Sequence, residues 1–297
     1  MENNILFEIQ NLECQYKSNP RPILEIESLK INKGEITFFI GTSGSGKSTI
    51  LEAMGLMNDP IKFSKESIFN FYPINGENNY NYFDLWKNKT VISKIRRNHF
   101  SFIFQSNNLF NSLNGHQNVI LPYLLRGKTK QEALRECNNI LNDILSDLNL
   151  SEKEIENINI SEISGGQKQR LAFARGIITQ YDVLFADEPT GNLDWYNARY
   201  IMRKLINRKN PDSSVIIVSH DISLATEFAD KIVFIERNET KVNGGKIFSY
   251  GKINKSGIFR KQEEKWINGD NQEMENNNLK DYLKNKFIPK ENSENKE

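Results

Sequence analysis

The sequence predicts an α/β fold: a mainly parallel sheet covered by helices, joined to a smaller antiparallel sheet. Apolar runs of strand length, Ile36–Ile40, Val183–Ala186 and Val215–Val218, alternate along the chain with stretches of helical spacing. Such alternation is typical of a parallel sheet with helices on its faces. Residues 5–9 and 23–31 instead alternate apolar and polar side chains, which indicates half-buried antiparallel strands.

The other elements follow in order along the chain. After the first apolar run, a glycine-rich turn leads into a helical pattern that begins at Lys47 and ends near Met57. Residues 60–98 show no clean period, so we expect an irregular segment with short strands near Ser67–Tyr72 and a helical stretch before Arg97. Further helices are predicted at 115–125, 128–149, 164–179, 195–208 and 222–229, and further strands at 100–105, 215–219, 231–236 and 246–249.

Composition favours a globular protein. The chain has 297 residues, of which 38% are hydrophobic and 26% charged, and its formal net charge of +1 gives no support for binding nucleic acid. Cys14 and Cys137 lack the spacing of a metal site or a disulfide framework, which fits a reducing cytosol. The N-terminus lacks the pattern of a signal peptide, and no apolar run approaches the ~20 residues of a membrane helix. If the protein acts at a membrane, we expect another chain to supply the membrane part.

The strongest motif is GTSGSGKS, which stands between a predicted strand and a predicted helix. This pattern is that of a phosphate-binding loop, in which glycines let the backbone curl so that its N–H groups point at phosphate oxygens. We expect Lys47 to reach the β- and γ-phosphates and the Ser48 hydroxyl to ligate Mg²⁺. The predicted nucleotide-binding residues here are Gly41, Thr42, Ser43, Gly44, Ser45, Gly46, Lys47, Ser48 and Thr49.

A second motif, VLFADEPT, brings two adjacent carboxylates to the carboxyl end of a buried strand. Ligands bind at that edge in open α/β sheets. Asp187 is placed to hold Mg²⁺, and Glu188 is placed to polarise an attacking water. Together with the phosphate loop, the pair predicts nucleotide hydrolysis.

A third motif, SEISGGQKQRL at residues 161–171, starts another helix with a serine and two glycines. Such a helix start is suited to an anion. The order of the three motifs resembles the ABC ATPase family, whose signature is close to Leu-Ser-Gly-Gly-Gln; Ile163 stands here where Leu is usual. The stretch ADEPTGNLD and residues 105–125 resemble the branch of lipoprotein-release, macrolide-export and cell-division ATPases. The resemblance covers roughly residues 5–250.

The resemblance implies further site residues, with ATP and Mg²⁺ as cofactors. Gln105 matches the family's metal- and water-contacting glutamine, His220 its switch histidine, and Asp194 lies in the loop GNLD. Tyr16 matches the aromatic residue that stacks on adenine. The implied catalytic residues are Glu188, His220 and Gln105, the metal ligands Ser48, Gln105 and Asp187, and the second nucleotide-contacting loop Ser164, Gly165, Gly166 and Gln167.

The resemblance also implies partners. In the family, the Ser164 loop contacts the nucleotide of a second subunit, so we expect a homodimer or heterodimer that closes on ATP, bound to an integral membrane permease at the inner face of the cell membrane. A permease-bound regulator of cell-wall or division machinery is an alternative. A soluble ABC ATPase acting on DNA or ribosomes is the runner-up class, but the chain shows no sustained heptads, no cysteine clusters and a single phosphate loop.

The domain organisation predicted from the sequence is an ATPase domain over residues 1–250, with a helical subdomain at about 106–180. After residue 250 the composition changes to mixed charge and many asparagines. We therefore expect residues 251–297 to form a partly disordered extension that is dispensable for ATP hydrolysis. The sequence does not name a transported substrate.

Overall fold

The computed structural model describes residues 4–16, 19–59, 61–62, 64–74, 76, 79–144, 158–191, 193–241 and 247–287. The strands, numbered along the chain, are β1 (Ile5–Tyr16), β2 (Asn19–Asn32), β3 (Ile36–Ile40), β4 (Ile61–Lys62), β5 (Ile68–Phe71), β6 (Tyr80–Asn81), β7 (Phe100–Ile103), β8 (Val183–Asp187), β9 (Ser214–Ser219), β10 (Lys231–Phe234), β11 (Glu236–Lys241), β12 (Ile247–Ile253), β13 (Ile258–Gln262), β14 (Lys265–Asn268) and β15 (Glu273–Glu275). The helices are α1 (Lys47–Met54), α2 (Tyr82–Leu85), α3 (Lys89–His99), α4 (Gly115–Leu125), α5 (Lys130–Ile144), α6 (Gly165–Ile177), α7 (Trp195–Arg208), α8 (Ile222–Phe228) and α9 (Asn276–Phe287).

The larger sheet has the strand order β15–β14–β13–β10–β3–β9–β8–β7. The five strands from β10 to β7 run parallel, and β13 pairs antiparallel with β10. The smaller sheet has the order β11–β12–β2–β1–β5–β6, with β4 beside β1, and its long β1–β2 pair is antiparallel. This architecture confirms the predicted fold class of a mainly parallel core sheet, an antiparallel sheet and helices.

Two apolar clusters lie on opposite faces of the core sheet. Ile36, Phe38 and Ile40 of β3 pack into the cluster formed with the helices, whereas Phe39 packs into the cluster between the two sheets. All four are at most 5% exposed. This explains why the strand is apolar at every position except the buried Thr37, since side chains on its two faces enter two different cores.

Most helix predictions agree with the structure. Helices α4 and α7 have the predicted bounds, and β5 and α3 occupy the predicted places within 60–98. The buried residues of α5 are Ala133, Cys137, Ile140, Leu141 and Ile144, which share one face of the helix. Residues 145–149 of the predicted helix lie outside the described residues. No helix in the described part of the chain is long and apolar enough to cross a membrane.

The segment after residue 250 differs from the expectation. The predicted boundary lies inside β12, and residues 258–287 continue the core sheet through β13, β14 and β15 and end in α9. Trp266 and Leu283 are fully buried. Residues 251–287 of the extension that was expected to be partly disordered fold into strands and a helix, because a few large apolar side chains anchor a polar stretch. Residues 288–297 of the expected extension lie outside the described part.

Candidate functional site

The phosphate loop connects β3 to α1. Gly44 and Gly46 have φ values of +75° and +90°, which favour glycine because other residues are strained there. A Cβ on Gly46 would also lie 3.1 Å from the Cβ of Leu24. The hydroxyls of Thr42 and Ser45 are buried without a hydrogen-bond partner. Buried polar atoms are normally paired, so a loop with two unpaired hydroxyls fits an anionic ligand.

Lys47 lies at the start of α1 with its side chain folded over this loop. Its Nζ donates to the carbonyl oxygens of Gly41 and Thr42, at 2.7 and 2.9 Å. Burial lowers the pKa of Lys47, while the carboxylates of Glu188 and Asp187 act in the opposite direction. The ammonium group is therefore held at the loop and near two negative charges.

The two adjacent carboxylates lie at the carboxyl end of β8, as predicted: Asp187 is the last residue of the strand and Glu188 follows it. Ser48 Oγ donates to Asp187 Oδ2 at 3.4 Å. Burial, followed by the neighbouring charge of Glu188, raises the pKa of Asp187. Both effects disfavour the ionised form of Asp187, so a cation beside the carboxylate would stabilise it. Hydroxyl and carboxylate oxygens are also the ligands that Mg²⁺ prefers. Ser48 and Asp187 therefore fit a magnesium ion.

Glu188 is held by its backbone and by two side chains from the end of β9. Its φ of +45° is unusual for a non-glycine residue, and its backbone N–H donates to the carbonyl oxygen of Val218 at 2.9 Å. Its carboxylate lies 2.9 Å from Nδ1 of His220 and accepts from the Ser219 hydroxyl at 3.3 Å. Strained backbone of this kind is typical of functional sites.

These side chains line one cavity of about 430 Å³. The residues on its surface are Ile23, Ser43, Gly44, Gly46, Lys47, Ser48, Thr49, Gln105, Asp187, Glu188, Val218 and His220. Gln105, Glu188 and His220, which are distant in sequence, thus meet at the phosphate loop. Tyr16, at the exposed end of β1, is not among the lining residues.

The residues of the second predicted loop, Ser164, Gly165, Gly166 and Gln167, and Asp194 are not among those that line this cavity. Ser164 caps α6: its hydroxyl accepts from the Gln167 N–H at 3.2 Å, and the Gln167 side chain accepts from the Ser164 N–H at 2.9 Å. The site at Gly165 where a Cβ would stand has no atom within 4 Å. Asp194 caps α7, and the hydrogen bond from the Asn197 N–H lowers its pKa.

The sequence motifs did not predict two contacts at the site. The Ser219 hydroxyl that supports Glu188 could have been suspected, since Ser219 directly precedes the switch histidine, His220. The second contact involves Gly251 of β12, where a Cβ would come within 1.9 Å of the Ser45 carbonyl oxygen. This strand therefore packs against the phosphate loop, and no local sequence signal indicates that approach.

Comparison with known proteins agrees with this geometry. The ABC transporter family model matches residues 24–191. The lipoprotein-releasing system ATP-binding protein LolD of Buchnera aphidicola is 35% identical over 225 residues, covering 75% of this chain and 90% of LolD. The macrolide export ATP-binding/permease protein MacB of Yersinia pestis is 30% identical over 240 residues, covering 80% of this chain. The chain spans only 33% of the length of that MacB.

Solved structures give the same result. A dimeric ATP-binding cassette in a post-hydrolysis state with ADP and Pi is 29% identical, with a TM-score of 0.62, and the match covers 77% of this chain and 94% of the cassette. CbiO1 from Clostridium perfringens, 23% identical with a TM-score of 0.62 over 78% of this chain and 85% of its own, shares the fold. The family match, the relatives and the cavity agree, and the chain therefore belongs to the ABC transporter family as an ATPase of the cassette type.

Proposed function

We propose that this chain binds Mg²⁺ and ATP in the cavity at the phosphate loop and uses hydrolysis to drive a separate membrane permease. The observation that carries the proposal is the convergence of Lys47, Asp187, Glu188 and His220 on one cavity. Lys47 and the loop N–H groups bind the phosphates, and Glu188 accepts the proton of the attacking water. His220 and Ser219 orient that carboxylate, and His220 donates toward the γ-phosphate.

The metal ligands proposed here are Ser48, Asp187 and Gln105. The hydroxyl and carboxylate oxygens are 3.4 Å apart, and Gln105 lines the same cavity. A magnesium ion held there would neutralise charge on the phosphate oxygens. The adenine-stacking role of Tyr16 stays a proposal that rests on the family resemblance alone.

Replacing Lys47 tests the phosphate-binding role. Lys47→Ala is expected to weaken ATP binding by about tenfold to a hundredfold, because a charge-assisted contact to phosphate is lost. Isothermal titration calorimetry with Mg²⁺-ATP measures the effect, and Lys89→Ala, an exposed lysine on α3, is the control. An ATP affinity equal to that of the unsubstituted protein contradicts the role assigned to this loop.

The arrangement of the two anion-suited loops supports a head-to-tail dimer. Each chain carries a phosphate loop and, away from its cavity, the glycine-supported helix start at Ser164, whose exposed N–H groups suit an anion. In a facing pair, the Ser164 loop of one chain meets the nucleotide of the other. Trp195 and Tyr196 follow Asp194 at the start of α7 and are 62% and 72% exposed. Exposed aromatic side chains are enriched in interfaces. The dimer partner is a second copy or a related chain.

A crosslink distinguishes contact between two chains from contact within one. Ser43 and Ser164 are both exposed, so Ser43→Cys combined with Ser164→Cys is expected to form a disulfide between two chains only when ATP is present. Native Cys14 and Cys137 are buried, and burial raises the pKa of Cys14 to about 12, which keeps that thiol unreactive. Non-reducing electrophoresis reads the result, with each single variant as control. A disulfide within one chain contradicts the facing arrangement.

Coupling to a permease is supported by the relatives' names, which include a lipoprotein-releasing system and a macrolide export ATP-binding/permease protein. The proposed location is the cytoplasmic side of the membrane, and residues 106–119 after Gln105 are the proposed docking region. Affinity purification of the chain from its native cells in mild detergent tests this. We expect a membrane protein to co-purify in stoichiometric amount; nucleic acid or ribosomes in its place contradict the transport assignment.

A further inference from the structure

The segment that follows Gln105 has an uncommon backbone. Asn107 and Asn108 are consecutive residues with φ values of +61° and +46°. Left-handed residues in succession are costly for L-amino acids, although asparagine tolerates them better than most. Local bonds stabilise the turn, since the Ser106 hydroxyl donates to the Asn108 side chain at 2.6 Å. The carbonyl oxygens of the two asparagines point toward helix α6.

Arg175, on α6, binds both of those carbonyl oxygens. Its Nη2 donates to Asn107 O at 2.6 Å, and its Nη1 donates to Asn108 O at 2.7 Å. The side chain is 9% exposed, and it makes no ion pair within the described part of the chain. A buried guanidinium that is bonded to two main-chain carbonyls instead of a carboxylate is a specific and strong tie between two segments.

A second buried polar side chain extends this tie. Asn118, on α4, accepts from the Phe110 N–H at 2.8 Å and donates to the carbonyl oxygens of Phe110, Leu113 and Asn114 at 3.0 Å each. It is fully buried. Segment 107–114 is therefore held by hydrogen bonds to α6 and α4. Gln105, in contrast, lines the nucleotide cavity at the end of the core sheet.

We propose that Arg175 is a positioning residue that joins residues 105–108, here called the glutamine loop, to α6, the helix that Ser164 caps. Gln105 then moves relative to the nucleotide only when that helix moves. The proposal rests on the ATPase function proposed above. Helix α6 is capped by Ser164 and carries Arg175 about three turns later. Because a helix moves as a rigid body, displacement of its start by the partner chain's nucleotide is carried through Arg175 to Asn107. The pivot is then confined to residues 105–106.

Replacing the guanidinium separates this role from general stability. Arg175→Ala leaves two buried carbonyls without a donor, and the loop is no longer held at its two left-handed residues. We expect ATP binding by the monomer to change little and kcat to fall by up to about 100-fold, as misplacement of a site residue by a distant change can cause. Arg175→Lys retains the charge and one hydrogen bond, and is expected to recover part of that loss.

The test is a double-mutant cycle with Gln105→Ala on the full chain, measuring steady-state ATP hydrolysis and thermal unfolding for every variant. If Arg175 acts through the glutamine loop, Arg175→Ala lowers kcat in the original background and adds little in the Gln105→Ala background. The matched control is Arg126→Ala. Arg126 is another partly buried arginine that donates to two main-chain carbonyls, those of Gln180 and Phe100, away from the cavity. Arg126→Ala should lower the thermal stability of the protein, and its effect on kcat should be independent of the Gln105→Ala substitution.

Each outcome bears on the proposal. Non-additive losses at Gln105 and Arg175, with additive behaviour of Arg126, support it. Full activity of folded Arg175→Ala, full activity of Gln105→Ala, or additive losses at the two positions overturn it and leave the ATPase assignment intact. Failure of the ATPase assignment itself has a different signature, namely unchanged ATP binding in the Lys47→Ala variant.

Discussion

Glu188→Gln is expected to bind ATP like the unsubstituted protein and to lower kcat by about 10²- to 10⁴-fold, the usual contribution of a general base. The amide keeps the shape of the carboxylate and can still bond to His220 and Ser219, so the loop should hold its conformation. It cannot accept a proton from water. Bound ATP then persists, and if hydrolysis opens the proposed dimer, the variant should accumulate as an ATP-dependent dimer.

Three measurements check this expectation: phosphate release for turnover, calorimetry for binding, and light scattering for mass with and without ATP. Glu52→Gln is the matched control. Glu52 lies on α1 close enough to raise the pKa of Asp187, but it is not among the residues that line the cavity. Its removal should leave kcat near the original value. Turnover of Glu188→Gln at the original rate rules out Glu188 as the base.

The predictable parts of this site are those that one short segment encodes. The phosphate loop, with its left-handed glycines and the lysine that follows, is complete within residues 41–49, and the carboxylate pair lies at the end of its own strand, β8. The motif order then identifies the family. The support of Glu188 by Ser219 and His220 depends on β8 and β9 lying side by side. No local pattern reports such pairing.

The extension after residue 250 shows why composition was misleading. Strand β13 has Phe259 as its only fully buried side chain, and the hairpin to β14 turns at Glu263 with a φ of +54°. A turn with glycine or asparagine at that position would have signalled a hairpin, but glutamate gives no such signal. Trp266 and the apolar face of α9 then depend on contacts with distant parts of the chain, which mean polarity does not reveal.

Removing the extension by truncation after Gly251 is expected to prevent stable folding, contrary to what the composition suggests. The cut deletes β13, which pairs with β10, and it deletes α9, which packs against α8 directly after the switch histidine. The deleted buried apolar side chains are Ile253, Phe259, Trp266, Leu279 and Leu283. Loss of one such aromatic core residue costs about 3–5 kcal/mol, whereas whole domains are stable by about 5–15 kcal/mol.

A graded series makes this expectation measurable even if the truncated chain is insoluble. Trp266 is fully buried, and its Nε1 donates to Asn276 Oδ1 at 3.2 Å. Trp266→Ala should therefore lower the free energy of unfolding by about 3–5 kcal/mol, and Trp266→Phe by less, because most of the apolar volume remains. Urea denaturation, monitored by circular dichroism, measures the free energy of unfolding of both variants. Truncation after Phe287 is the control, since it keeps every buried residue named above and should unfold like the full chain. If the chain cut after Gly251 is soluble, unfolds cooperatively and hydrolyses ATP at the original rate, the extension is an accessory and does not brace the ATPase core.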